Sequence, residues 1–260
     1  MSVQLTILGS GSGGNCAYLE TEETRLLIDA GFTGRQIRRR MATLARAPET
    51  LTGILITHEH SDHISGLAGL AAQLDLPIYC NRYTKEAIEA QLQIQINAHL
   101  FTTGDSFELG DVTVDTFAVP HDASDPVGFL VHTTAGNIGF LTDLGHATKM
   151  VVERIRAANV LVLEANHDVK MLQDDPRRPW SLKQRILSRH GHLSNDSAAD
   201  VAGQILSASL WRLYLAHLSR DCNRPELALQ AVTARLEQLG GTHVRVESTS
   251  QNIPNATLTL

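Results

Sequence analysis

Four side chains able to bind metal fall within six positions: His58, His60, Asp62 and His63, in the run Thr57-His58-Glu59-His60-Ser61-Asp62-His63. Imidazole and carboxylate together are a donor set for zinc, manganese or iron. A helix would scatter the four around its circumference. A regular strand would put His58, His60 and Asp62 on one face and His63 on the other. A tight loop following a strand lets His58 and His60 turn to one ion while Asp62 and His63 turn to a second. The apolar run Gly53-Ile-Leu-Ile-Thr stands directly before the cluster, as such a strand would.

The same juxtaposition recurs along the chain. Asp29 ends Arg25-Leu-Leu-Ile, and His121 follows Phe117-Ala-Val-Pro. Asp143 follows Ile138-Gly-Phe-Leu-Thr, and His217 follows Leu213-Tyr-Leu-Ala. Strands of one sheet edge bring such ends together, so residues distant in sequence can meet. Twelve histidines are more than packing requires in 260 residues, and several stand directly after apolar runs.

The elements that must position them alternate between short β-type runs and helices. Val3–Leu8, Ala17–Glu20, Arg25–Asp29, Gly53–Thr57 and Pro77–Cys80 read as strands in the first part. Val112–Val119, Gly128–His132, Asn137–Leu141, Val160–Glu164, Arg212–Ala216 and His243–Glu247 read as strands later. Helical patterns fall at 34–44, 63–74, 83–95, 148–157, 180–189, 196–208 and 225–239. Pro225 suits a first helical turn, and Gly240-Gly241 suits the end of that helix. Asp174 to Pro179 reads as a loop. The close spacing of the middle runs requires antiparallel pairing, which excludes a single parallel sheet. Two sheets packed face to face, with helices outside, accommodate the order.

With 43% apolar residues, the chain can bury a core as one domain, 1–260. A formal charge of −6 does not point to nucleic acid by total charge, although a local basic face is compatible with it. Cys16, Cys80 and Cys222 are few, odd in number and far apart, which fits a reducing cytoplasm better than a disulfide framework. Met1 to Leu8 lacks the pattern of a signal peptide, and no apolar run approaches the roughly 20 residues that span a bilayer. A cytoplasmic protein with no membrane partner is expected. Oligomeric state is not legible.

The run His58-x-His60-x-Asp62-His63 resembles the signature of the metallo-β-lactamase superfamily. Asp29, His121, Asp143 and His217 are similar, in order, to that family's other motifs. Further stretches resemble its YycJ (WalJ) branch: GSGSGGN at 9–15, VPHDASDPVGF at 119–129, TDLGH at 142–146, LEANHD at 163–168, GHLSN at 191–195 and AHLSRDCN at 216–223. The resemblance implies a four-layer αββα sandwich of two mixed sheets with helices on the outer faces. It implies no β-CASP insertion, and nuclease chemistry of the 5′-to-3′ exonuclease kind on DNA. His58, His60 and His121 would then hold one divalent ion. Asp62, His63 and His217 would hold a second, and Asp143 would bridge them. Zinc or manganese is expected, and iron is compatible. Two cations about 3.5–4 Å apart can hold one hydroxide between them and lower its pKa. Asp29 would orient a ligand histidine.

Other residues are candidates for touching substrate. The Gly9–Asn15 loop, with Ser12 and Asn15, can offer backbone N–H groups to a phosphate. Ser194 and Asn195 stand before a helix and can either cap it or bind an anion. His192 is the expected general acid, with His167 competing, and Asp62 belongs to the catalytic set as well as to the ligands. Arg35, Arg38, Arg39 and Arg40 form one basic run. Arg177, Arg178, Lys183, Arg185 and Arg189 form another, with Trp180 inside it. Such runs are solvated helix faces or tracks for a nucleic-acid backbone. Two other functions compete: a small-molecule hydrolase acting on cyclic phosphodiesters, thioesters or lactones, and a metal-loaded regulatory protein with little turnover. A positive groove leading to the metals favours nucleic acid, and a deep closed pocket favours a small substrate.

Overall fold

The computed structural model describes residues 2–71 and 74–260. The chain opens with β1 (Gln4–Gly9), β2 (Cys16–Glu20) and β3 (Arg25–Ile28), then α1 (Gly34–Ala42), a 3-10 turn at Pro48–Thr50 and β4 (Gly53–Leu55). Next come α2 (Ser61–Ile64), α3 (Leu67–Ala71), β5 (Ile78–Cys80), α4 (Arg82–Leu92) and β6 (Ala98–Leu100). The second part holds β7 (Ser106–Leu109), β8 (Val112–Ala118), β9 (Val127–Thr133), β10 (Gly136–Leu141), α5 (Lys149–Ile155) and β11 (Val160–Glu164). It continues through α6 (Val169–Asp174), α7 (Trp180–Ile186), α8 (Asn195–Ile205), β12 (Arg212–Ala216), α9 (Pro225–Gln238) and β13 (Arg245–Ser248). β14 (Leu258–Thr259) then returns to the edge of the first sheet, beside β1.

Among the described residues each sheet has seven strands, in the orders β14-β1-β2-β3-β4-β5-β6 and β13-β12-β11-β10-β9-β8-β7. Each is mixed. β14-β1-β2-β3 pair antiparallel and β3-β4-β5-β6 parallel. In the second sheet β7-β8-β9-β10 are antiparallel and β10-β11-β12-β13 parallel.

Side-chain alternation along the strands builds four layers. Leu26 and Ile28 join Phe129, Val160 and Val162 in the core between the sheets. Leu27, one residue out of phase, packs with Ile37 and Met41 of α1 on the outer face. Leu161 and Leu163 turn outward in the same way, to Ala198 and Ala202 of α8. Burying such a leucine contributes about 2 kcal/mol, so a one-residue slip of either strand is costly. Thr33 caps α1 with a reciprocal box: its hydroxyl accepts from Gln36 N–H, and the Gln36 side chain accepts from Thr33 N–H. Pro225 takes the first turn of α9. The chain is the αββα sandwich that the resemblance implies and that the order of runs accommodates.

Three features differ from the sequence reading. The helix expected over 63–74 is two short helices, α2 and α3, and residues 72–73 of that span lie outside the described residues. The break falls at Gly66, whose N–H donates to Ala30 O at 2.7 Å. A Cβ there would meet Phe32 O at 2.5 Å, so close docking of this backbone replaces a regular helix. α6 forms where no helix was expected, capped by Asp168, whose carboxylate accepts from Met171 N–H at 2.8 Å. β6, β7 and β14 are short edge strands without a continuous apolar signal. Among the described residues no helix is long and apolar enough to cross a membrane.

Candidate metal centre

The ends of six strands bring the chemistry together. Asp29 follows β3, His58 stands three residues past β4, His121 three past β8, and Asp143 two past β10. Glu164 ends β11, and His217 follows β12. Asp29, Asp143 and His217 share a second property: their φ angles are 60°, 58° and 54°. Left-handed backbone at a non-glycine residue is unfavourable by roughly 1–2 kcal/mol. At these three strand ends it re-aims the side chain toward the common centre.

The ligand-type atoms form two triads. Those of His58, His60 and His121 lie within 4.8 Å of one another, as do those of Asp62, His63 and His217. Asp143 joins His58 and His63 in a third such group, so it stands between the triads. His60 Nδ1 is 3.3 Å from His121 Nε2. His217 Nε2 is 3.2 Å from Asp62 Oδ2, and His63 Nε2 is 3.1 Å from Asp143 Oδ2. Donors bound to one tetrahedral ion at about 2.0–2.1 Å stand roughly 3.3 Å apart, which matches these spacings. His58 Nε2 and Asp143 Oδ2 are buried and make no hydrogen bond among the described residues, although such orphaned groups are costly. A divalent cation satisfies both, and the donor set fits one.

Outer hydrogen bonds fix which ring nitrogen faces inward. His63 Nδ1 donates to Asp29 Oδ2 at 2.7 Å, and His121 Nδ1 donates to Gly191 O at 3.0 Å. His217 Nδ1 donates to Glu164 Oε1 at 2.8 Å. In all three, Nε2 is left for the centre. Asp29 is itself held by Thr57, whose N–H and hydroxyl donate to its Oδ1 at 2.9 and 3.0 Å. Gly31 makes the loop possible: a Cβ there would meet Asp62 O at 1.7 Å, while Asn15 N–H donates to that same oxygen at 2.8 Å.

The electrostatics call for positive charge. Burial lowers the His58 pKa well below the ordinary imidazole value, and the charge of His63 lowers it further, leaving a neutral donor. Burial acts against His63 and His217 too, yet Asp143 and the other carboxylates around each draw them well above that value. Asp143 is held well below the ordinary carboxylate range against its own burial, chiefly by His217 and His63.

Glu164 is not among the site candidates that the sequence offers. It is fully buried and accepts four hydrogen bonds. His192 Nδ1 and His217 Nδ1 each donate to Oε1 at 2.8 Å. Leu144 N–H and Leu193 N–H donate to Oε2 at 3.1 and 3.0 Å. Burial alone would raise its pKa, but His192 and His217 hold it down to about 2. The signal present in the sequence is a carboxylate closing the apolar run Val-Leu-Val-Leu, the same juxtaposition that marks Asp29.

A pocket of about 250 Å³ opens over this centre. His60, Asp62, Asp143, His192 and His217 form its floor. Ser12, Ser219, Arg178, Leu182, Arg185 and Ile186 also line it. The other expected contact residues are placed elsewhere. Asn15 is buried and does not line this pocket, but its amide nitrogen lies 3.1 Å from His63 Nε2 and 3.3 Å from Asp62 Oδ2, while its oxygen accepts from Gly11 N–H. Ser194 caps α8, its hydroxyl accepting from Ser197 N–H at 3.1 Å, and Asn195 is paired with Asn223. Both are buried away from the pocket, so the capping role prevails there over anion binding. His167 is 1% exposed, lines no part of the pocket, and has neither ring nitrogen hydrogen-bonded among the described residues. Burial pushes its pKa down to about 4.

The two basic runs also divide. Arg40 covers the Phe32 ring at 3.9 Å and donates to Gln251 O at 3.0 Å, a structural post. Arg38 pairs with Glu49. Lys183 is buried and donates to Gln173 O at 2.6 Å, whereas Arg178 and Arg185 face the pocket. Arg178 is tied to Asp175 and Asp221, and Arg185 to Asp122.

A family model described as the beta-lactamase superfamily domain matches residues 24–217. The chain is 38% identical over 259 residues to exodeoxyribonuclease YycJ of Bacillus anthracis, covering 98% of each chain. It is also 38% identical over 237 residues to exodeoxyribonuclease WalJ of Streptococcus pneumoniae serotype 2 (strain D39 / NCTC 7466), covering 90% of this chain and 88% of that one. Among solved structures, the metallo-beta-lactamase fold protein YhfI from Bacillus subtilis superposes with a TM-score of 0.74 at 15% identity, over 99% of both chains. The chain belongs to the beta-lactamase superfamily of metal-dependent hydrolases. Within it, the chain falls in the YycJ/WalJ branch.

Proposed function

We propose that this protein is a dinuclear metal-dependent phosphodiesterase that works as a 5′-to-3′ exonuclease on DNA. One observation carries the chemistry: Asp143 groups with one histidine from each of two triads of ligand atoms, beside an open pocket that it lines. The exodeoxyribonuclease relatives, alike over nearly the whole chain, support the substrate. His58, His60 and His121 would hold one ion, Asp62, His63 and His217 would hold the other, and Asp143 would be shared between them. Zinc or manganese suits this mixed set, and iron is compatible. Divalent ions there would supply Lewis acidity, which acidifies water and neutralises charge on phosphoryl oxygens.

The chain's own side chains do the rest. Asp29 and Glu164 orient ligand histidines through their outer nitrogens. His192 lines the pocket with Nδ1 fixed on Glu164, which leaves Nε2 to protonate the departing oxygen. Burial works against its charged form, but Glu164 raises its pKa, so the acid form persists to higher pH. Ser12 and Ser219 offer hydroxyls to the bound phosphate group. Residues 1–260 act as one catalytic unit in the cytoplasm, and the three buried, unpaired cysteines are compatible with that compartment.

The test is incubation of metal-loaded protein with end-labelled single- and double-stranded DNA, RNA, bis(p-nitrophenyl) phosphate and a lactone. Stepwise release of nucleotides from DNA is expected. Cleavage of the lactone alone would show a small-molecule hydrolase instead.

A further inference from the structure

The pocket over the metal centre does not end at Ser12, Arg178 and Ser219. The same three residues also line a second cavity, of about 510 Å³. Its remaining walls come from loops at the ends of β1, β12 and β13. Those loops are tied to one another. Ser10 N–H donates to Ser250 O at 3.1 Å. Gln251 accepts from Gly13 N–H at 2.6 Å and donates to Gly14 O at 2.9 Å. The cavity is therefore formed in advance, and its volume is within the range of small-ligand sites, about 300–1,000 Å³.

Its lining is hydroxyl and amide, with two guanidinium groups, Arg178 and Arg220, and one carboxylate, Asp221. Asp221 is engaged by Arg177 and Arg178. Arg178 pairs with Asp175 as well, and Arg185, the third cation of the combined groove, pairs with Asp122. Arg220 is exposed and makes no hydrogen bond or ion pair among the described residues. The groove thus carries one uncommitted guanidinium among the described residues, in the cavity that shares Ser12 and Ser219 with the pocket over the metal centre and outside that pocket's own lining. A guanidinium fork surrounded by hydroxyls is suited to a phosphate group.

We propose that this second cavity is a nucleotide subsite. While one phosphodiester lies over the metal centre, the adjoining nucleotide crosses Ser12 and Ser219 and places its phosphate on Arg220. The proposal rests on the phosphodiesterase reading above.

The experiment compares two inhibitors of bis(p-nitrophenyl) phosphate hydrolysis by the metal-loaded full chain. One is thymidine 5′-monophosphate. The other is a 5′-phosphorylated, phosphorothioate-linked thymidine dinucleotide, which reaches both cavities. In the wild type the dinucleotide binds more tightly by about tenfold, the effect of one charge-assisted hydrogen bond. In Arg220→Ala the ratio of the two inhibition constants falls toward one. Asn252→Asp, which sets a negative charge on the same cavity wall, lowers it too. Because the ratio is taken within each variant, a general loss of activity cancels. Equal inhibition by both compounds in the wild type, or an unchanged ratio in Arg220→Ala, overturns the subsite. Failure to hydrolyse any phosphodiester overturns the phosphodiesterase reading and the subsite together, which separates the two failures.

Discussion

His192 and His217 share one carboxylate oxygen: each Nδ1 lies 2.8 Å from Oε1 of Glu164. A single buried residue thereby orients both a proposed ligand and the proposed acid. Glu164→Gln removes the charge and sets an amide among four N–H donors, of which one amide oxygen can serve two. The buried mismatch is worth about 1–3 kcal/mol of stability. Turnover should fall mainly in kcat, by about 10²-fold, the range of general acid catalysis. His192→Ala should slow turnover to a similar degree while metal content is unchanged. Metal analysis beside steady-state kinetics checks both variants. Loss of metal from His192→Ala would make His192 a ligand and remove it as the acid.

Asp29 acts on the centre through His63, which it holds at 2.7 Å from a left-handed turn pinned by Thr57. Asp29→Asn keeps the shape and weakens the carboxylate–histidine link. Metal affinity should drop by about 10–100-fold, with the fold intact. Competition with a chromophoric chelator, read beside circular dichroism, measures it. Unchanged affinity would leave Asp29 as a turn former only.

Far from the centre, Glu20 is clamped by Arg25 at 3.0 Å and Arg46 at 2.8 Å. Burial would raise its pKa, but the two arginines win and the value lies below the ordinary 4.5. A depressed folded-state pKa contributes stability above the unfolded value and loses it as pH falls. Glu20→Gln should therefore be less stable than wild type at pH 7, by about 1 kcal/mol or less, since the arginines are partly solvated. The difference should shrink as pH falls below 4.5. Urea unfolding at pH 7 and pH 3.5 decides, and a gap that widens in acid would reverse the sign.

What the sequence makes legible has a physical limit. Asp29, His58, His121, Asp143 and His217 stand out because a polar residue directly after an apolar run is conspicuous, and parallel strands carry those ends to one edge. Glu164 follows the same rule, yet its partners lie 28 and 53 residues away and give no local sign. Ser194 and Asn195 were ambiguous because a helix cap and an anion site use the same chemistry. Only the burial of both side chains separates the two. The break at Gly66 was hidden because periodicity reports a helical face and not the backbone of Ala30 and Phe32 docking against it. The second cavity is assembled from three loops distant in sequence, and no single motif announces it.

The dinuclear assignment is tested most directly by counting metal ions bound per chain in the wild type and in Asp143→Ala. Native mass spectrometry of zinc-loaded protein is suitable. Asp143 stands between the two triads, so two ions are predicted in the wild type and at most one in the variant, with hydrolysis down by about 10³-fold. A single ion in the wild type, or two ions and full activity in Asp143→Ala, would contradict a bridged pair.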